Sequence, residues 1–433
     1  MNRLAVLCLV LLAAGALLGF AEGGQEEEAT GPVKLMFWTH EDKNRAALED
    51  RFIAEFQSAN PDVTIEKVTH GSTKIQEIIL TAFAANQGPD IFNMSIEDEF
   101  PYIANGRVAP VVPQALGFSS TQGIVDSYIP KVLDPVTVKG KLYGLPLELT
   151  NWCIYLNKKI FRSAGLDPEK DYPKTWEDMV RFSEKLVIRN GDIITRRGFD
   201  FRYPYYLVEM VPLVEQLGGK LISDDRKSVI VGDKAWIQFL DFMKAWGPNG
   251  KNLGSPTYKA ARSLFNFDKN EVAMASTGLY QQGRMRSDNP DFFASQDWLV
   301  GPFPQFKNKA KTVAGCYYGH YYMVNGQAPT RSQQTAWKFI GYMLTHPEEY
   351  LEKVSLPQPT KMLMASKKYT EMPFSKVFTD DMARGHIVYY GANSAKLQEL
   401  IKKAVESVML SNVASDKALA ALKTDAQELF AGN

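Results

Sequence analysis

Cysteine is nearly missing from this chain, with three in 433 residues. Cys8 lies in an apolar N-terminal stretch, and the long separation of Cys153 from Cys316 cannot build a zinc site. The pair leaves two readings open, one disulfide in an oxidising compartment or two buried thiols. Charge of one sign is also lacking: 49 basic residues offset 49 acidic ones, and basic runs do not exceed pairs such as Lys402-Lys403. That argues against nucleic acid, whose backbone demands a basic surface. Histidine is scarce, and none of the five (His40, His70, His320, His346, His386) is paired at helical ligand spacing. His40-Glu41 begins like a metalloprotease motif, but position 44 is Asn. Gly219-Lys220 runs into Leu221 and Gly250-Lys251 into Asn252, so the phosphate-loop signature fails, and no G-x-G-x-x-G or G-x-S-x-G occurs. No metal, cofactor or catalytic group is expected. A glycan-processing pair of carboxylates brought together from distant parts of the fold stays open.

What is present is ordinary globular composition, 45% hydrophobic and 23% charged, which excludes disordered, collagenous and multi-span membrane classes. Single cores stop growing at about 250–300 residues, so at least two domains are expected. At the N-terminus Arg3 precedes an apolar or small stretch from Leu4 to Phe20, with Gly19 and Ala21 placed for a cut. Residues 1–21 therefore read as a signal peptide, and the acidic run Glu26-Glu27-Glu28 favours cleavage over an uncleaved anchor. Residues 22–31 read as a flexible leader. The protein is expected to be exported.

Val33 to Trp38 reads as a buried strand, followed by helical spacing at Ala46, Leu48, Phe52, Ile53 and Phe56. Val63 to Val68 is a second strand, Ile75, Ile78, Ile79 and Phe83 mark a second helix, and Asp90-Ile91-Phe92 opens a third strand after the Gly88-Pro89 breaker. This alternation predicts a parallel sheet covered by helices, an α/β domain. Val136 to Pro146 reads as a hairpin. Helices are expected at 157–164, 175–190, 204–217 and 233–246, giving a second α/β region over about 155–274. The C-terminal third is expected to be mostly helical, at 332–345, 347–354, 375–384, 394–409 and 415–430.

Aromatic clusters stand out at strand ends and in loops: Phe37-Trp38, Tyr203/Tyr205/Tyr206, Tyr280, Tyr317-Tyr318 with Tyr321-Tyr322, and Tyr389-Tyr390. Packing is the plain reading for Tyr321 and Tyr322, whereas rings bracketing Gly315 and Gly319 offer stacking faces to a sugar. Polar groups follow the strands: His40 and Glu41 after the first, Glu97 and Asp98 after the third, and Glu148, Thr150 and Asn151 after Tyr143-Gly144-Leu145-Pro146. Ligands of open parallel sheets bind beyond the carboxyl ends of strands, so these groups are placed to converge on hydroxyls.

Several stretches carry a family likeness. Gly88-Pro89-Asp90-Ile91 with Gly106, Lys141-Leu142-Tyr143-Gly144-Leu145-Pro146, Tyr155-x-Asn157-Lys158, Ala164-Gly165-Leu166, Pro173-x-Thr175-Trp176, Ala336-Trp337-Lys338-Phe339-Ile340 and Leu356-Pro357-x-Pro359-Thr360 stand in order along the chain. With them the chain resembles the family 1 extracellular solute-binding proteins of ABC importers, the maltose-binding-protein group. The resemblance implies a two-lobed periplasmic-binding-protein fold with crossovers near 149–156, 272–280 and 317–324. Lobe one would be 32–150 plus 277–319, and lobe two 155–274 plus 322–433. It implies ligand contacts at Thr39, His40, Glu41, Glu97, Asp98, Thr150, Asn151, Trp152, Tyr280, Tyr317 and Tyr318; the aromatic pattern adds Tyr206 and Tyr389. The charged loop Glu41-Asp42-Lys43 stands where the family has glycines, which speaks against a plain maltodextrin. The implied function is carbohydrate capture by an exported monomer, periplasmic or at the extracellular face of the inner membrane, that delivers to membrane permease subunits. A polyol or glycerol-phosphate ligand, for which Lys43 and Arg284 supply charge, an exported glycan-processing enzyme, and a chemosensory or adhesion module are the alternatives.

Overall fold

A computed structural model describes residues 31–72, 74–232, 234–256, 271–315 and 318–431; the expected signal peptide, most of the leader, Cys316 and Tyr317 lie outside them. Two five-stranded sheets organise the chain. The first is made of β1 (Val33–His40), β2 (Val63–His70), β3 (Ile91–Ser95), β6 (Leu145–Thr150) and β12 (Tyr318–Val324) in the order β2-β1-β3-β12-β6. Its first three strands are parallel, as the strand and helix alternation predicts, and β12 runs antiparallel between β3 and β6. β4 (Thr137–Val138) and β5 (Lys141–Leu142) form the expected small hairpin.

The second sheet holds β7 (Cys153–Asn157), β8 (Ile188–Asn190), β9 (Ile193–Asp200), β10 (Val272–Thr277) and β11 (Trp298–Gly301), ordered β11-β7-β10-β9-β8. Side chains of a strand alternate between faces. Ile154 and Leu156 of β7 accordingly enter one hydrophobic core with the helices Trp176–Leu186, Lys234–Trp246 and Ser394–Leu410, while Cys153 and Tyr155 enter another with Trp298 and Phe378. The first sheet has its own core, to which the helices Lys43–Ala59 and Thr330–Leu344 contribute Phe52, Phe56, Trp337 and Phe339. Among the described residues no helix is long and apolar enough to cross a membrane.

Three expectations need revision. Residues 187–190 are not the tail of a helix: the helix ends at Leu186, and Ile188–Asn190 turns back through the two-residue loop Gly191-Asp192, with Gly191 at φ 60°, into β9. Trp298–Gly301, within the stretch assigned to lobe one, pairs with β7 in the second sheet. The helix Thr330–Leu344, assigned to lobe two, packs on the first sheet, because β12 has already returned the chain there. Cys153 is a buried free thiol.

Candidate functional site

The carboxyl end of the first sheet is built by short-range rules. β1 ends at His40, and Asp42 caps the helix Lys43–Ala59 by accepting from the backbone N–H groups of Asn44 (3.1 Å) and Arg45 (3.2 Å). Helical spacing buries Arg45, Leu48, Glu49, Phe52 and Phe56 on one face, so two charged side chains, four residues apart, go in with the apolar ones. Arg45 Nε lies 3.2 Å from Glu49 Oε1, and the same oxygen accepts from the Tyr322 hydroxyl at 2.8 Å. The close approach of β12 to β6 depends on Gly319, where a Cβ would lie 2.4 Å from the Glu148 carbonyl oxygen.

Asn93 on β3 fixes the state of His40. Its amide donates to Thr39 Oγ1 (2.7 Å), which leaves Oδ1 as an acceptor 3.0 Å from His40 Nδ1. Nδ1 therefore carries the proton, and Nε2 accepts from Arg45 Nη1 at 2.8 Å. Burial first, then the charge of Arg45, holds the imidazole well below its usual pKa, in the neutral form. Its ring stacks on His320 with centroids 4.0 Å apart, and His320 Nδ1 lies 3.1 Å from Glu148 Oε1. Donor atoms of His40, Glu148 and His320 fall within 4.8 Å of one another, a spacing a metal could span. The guanidinium on Nε2 leaves His40 no lone pair for one, so the donor set does not fit a cation.

Beyond β3 stand Glu97, Asp98 and Glu99. Glu97 is 4% and Glu99 0% exposed. Asp98 accepts from the Ser95 hydroxyl at 2.7 Å, but Glu97 Oε1 and both oxygens of Glu99 are buried without a partner. Burial, and next the neighbouring Asp98, pushes Glu97 up to about 8; burial likewise raises Asp98 and lifts Glu99 well above the carboxylate range.

The second sheet contributes rings and one further acid. Trp152, in the two-residue step Asn151–Trp152 between β6 and β7, meets Tyr205 edge to face at 5.1 Å, and the Arg202 guanidinium lies 4.4 Å from the first ring and 4.9 Å from the second. Glu209 Oε2 accepts from the Arg202 backbone N–H while Oε1 has no partner, and burial pushes that carboxyl up to about 8.

Of the residues expected from sequence, His40, Glu97 and Asp98 stand around the end of β3: His40 bonds Asn93 of that strand, Asp98 raises Glu97, and His320 partly offsets the burial of Asp98. Glu41 is exposed there. Thr150 ends β6 and Asn151 begins the step between sheets: the Thr150 hydroxyl donates to the Asn151 carbonyl (3.0 Å) and accepts from Leu279 N–H (3.3 Å), and the Asn151 amide donates to the Phe378 carbonyl (3.1 Å). Tyr280 lies under the Arg284 guanidinium at 4.5 Å. Tyr389 stands 6.4 Å from Phe100 and 4.8 Å from the Arg226 guanidinium. Tyr206 belongs to the second sheet's core, its hydroxyl 3.4 Å from Glu406. Tyr318 pairs opposite Thr150 along the backbone, and Tyr317 is outside the described residues. Sequence reasoning missed Glu99, Asn93, Arg45, His320 and Arg202. Only Glu99 had a local signal, as the last of three acids in a row after a strand.

Residues 39–350, more than half of the chain, match the model of bacterial extracellular solute-binding proteins. The chain belongs to this family. Family members are exported binding proteins rather than enzymes, and they work with ABC permeases. The chain is 24% identical over 302 residues to an arabinooligosaccharide-binding protein of Halalkalibacterium halodurans, covering 67% of this chain and 63% of that one. It is 21% identical over 332 residues to a maltotriose-binding protein of Pyrococcus abyssi, covering 75% and 65%. The chain thus spans a little under two thirds of the length of these relatives. A solute-binding protein of Thermotoga lettingae solved with α-D-tagatose superposes with a TM-score of 0.78 at 19% identity, covering 92% of this chain and 99% of that one. That likeness establishes the family's two-lobed fold for the two sheets described above.

Proposed function

We propose that this chain is the exported substrate-binding component of an ABC importer and captures a carbohydrate between lobes built on the two sheets. The observation that carries this reading is the pairing of partner-short carboxylates beyond β3 with the Trp152 and Tyr205 rings beside the step from β6 to β7. Sugars offer hydroxyl donors for the first and apolar ring faces for the second. The relatives named for oligosaccharides support the same class.

Delivery follows from differential contact. A ligand that touches both lobes stabilises their closed arrangement over the open one, and a permease that reads closure then distinguishes loaded from empty protein. Micromolar affinity corresponds to about −8 kcal/mol, which two stacking rings and several hydrogen bonds supply after ordering costs. A phosphorylated solute is disfavoured because the cations that could receive it are occupied: Arg284 Nη2 lies 2.9 Å from Asp42 Oδ2, and Lys43 pairs with Asp288. Of the residues expected from sequence, the proposal takes Glu97, Asp98, Asn151, Trp152 and Tyr280 as ligand contacts and adds Glu99 and Tyr205, while His40 and Thr150, whose polar atoms are engaged within the chain, position them. A monomer in the periplasm or at the outer face of the inner membrane completes the proposal.

Thermal-shift measurement with a carbohydrate panel tests it. A ligand at a hundred times its dissociation constant adds about 2.7 kcal/mol to stability. Glu97→Ala should remove most of that shift, measured against the variant's own unliganded melt. Turnover of the bound sugar, or no response to any carbohydrate, would refute the proposal.

A further inference from the structure

We infer that the acids beyond β3 receive a protonated amine, so that the captured carbohydrate is an amino sugar or an oligosaccharide containing one. The inference rests on the carbohydrate reading above.

The acids converge from two strands. Strand register sets Ser95 opposite His320 and His320 opposite Glu148, so Glu148 arrives at His320 from one side of β12 and Asp98 from the other. Glu97, Glu99 and Glu148 are each more than nine-tenths buried. Four of their oxygens, Glu97 Oε1, both of Glu99 and Glu148 Oε2, meet no hydrogen-bond partner. Among the described residues no Lys or Arg forms an ion pair with Glu97, Asp98, Glu99 or Glu148. The cations of this end are engaged elsewhere: Arg45 with Glu49, Arg284 with Asp42, Lys67 with Asp50 at 2.6 Å, and Lys43 with Asp288.

A buried carboxylate is costly unless it is neutralised or joined by a cation. A sugar hydroxyl brings one donor and no charge. An ammonium brings three donors and a positive charge to acids with four partner-free oxygens and no Lys or Arg ion pair among the described residues, Arg45 and Arg284 acting on Glu148 only through their fields, and its arrival displaces the protons that burial keeps on Glu97 and Glu99. A ligand amine therefore gains a charge-assisted interaction that its N-acetyl or hydroxyl counterpart cannot make, and a phosphate would be repelled by the same groups.

Calorimetric titration of the purified protein with glucosamine, galactosamine and mannosamine, each beside its N-acetyl and 2-hydroxy counterpart, tests this, with spermidine and calcium as further arms. At least one amine is expected to bind tenfold or more tightly than both counterparts, and the double variant Glu97→Gln/Glu99→Gln should erase that preference; the single Glu97→Gln should reduce it. A neutral counterpart bound as tightly as the amine overturns the inference and leaves the carbohydrate reading standing. Binding of spermidine alone supports the ammonium site and overturns the carbohydrate reading. Calcium alone overturns the inference, and no binding in any arm overturns both.

Discussion

Glu49 and Glu99 are fully buried glutamates in the same half of the molecule, yet their surroundings differ. Glu49 meets Arg45 at 3.2 Å and the Tyr322 hydroxyl at 2.8 Å, with Lys67 Nζ at 3.7 Å, whereas neither oxygen of Glu99 has a partner. A carboxylate whose neighbours come from its own helix and the adjacent strands is part of the framework. One left open beside two further acids is, on the proposal above, held for a ligand. Burial alone therefore does not mark a functional acid; burial without partners does.

The contrast breaks most sharply at Arg45. Arg45→Ala leaves Glu49 buried without its nearest cation, and chemical denaturation should show a loss of about 3–5 kcal/mol. A loss below 1 kcal/mol would mean that Tyr322 and Lys67 suffice.

Acidity gives the next effect. Folded Glu97 keeps its proton to about pH 8, whereas the unfolded side chain ionises near 4.5. Its contribution to stability is therefore full below 4.5 and is lost as pH rises through 8, at about 1.4 kcal/mol per pH unit. The unfolding free energy of Glu97→Gln should gain on the parent at that slope between about pH 5 and 8. A difference that does not vary with pH would place the charge in contact with water.

Asp42→Asn is expected to cost less, about 1–2 kcal/mol by thermal unfolding, because Asn still caps the helix and only the charge facing Arg284 is lost. Arg284, with Arg45, outweighs burial to keep Asp42 below the usual carboxylate range, so this cost should hold at pH values above that of an ordinary Asp and fade as pH falls below it. Smallest of all, below about pH 4.5, where the unfolded side chain also takes up its proton, Glu99→Gln should move the unliganded melting temperature by no more than the equivalent of about 0.5 kcal/mol, because a protonated Glu99 and a Gln differ little in shape and charge; above that pH the variant should gain on the parent as Glu97→Gln does.

Periodicity made most of the framework legible. Leu48, Phe52, Ile53 and Phe56 mark a buried helical face in the sequence and in the structure alike. The Ile188–Asn190 hairpin strand was hidden because a short apolar pair at the end of a helix looks like its last turn, although the turn dipeptide Gly191-Asp192 was there to be read. Lobe membership after residue 277 was illegible for a different reason: which sheet a strand joins is decided by long-range pairing, and β11 and β12 go to different sheets. At the site, the residue types after β1 and β3 pointed to the right loops. Whether an acid there is paired could not be read, since Arg284, which neutralises Asp42, lies 242 positions away.

The two-residue step Asn151–Trp152 also turns a side chain into a gauge. Trp152 sits where the chain leaves one sheet for the other, its indole against Tyr205 and Arg202 of the second-sheet half while its backbone continues from β6 of the first. The proposed closure bends the chain at this step, next to an indole that already lies over a charge, and indole emission responds strongly to a small change in such a contact. With only six other tryptophans in the chain, native fluorescence should report the approach of the two halves without an attached dye.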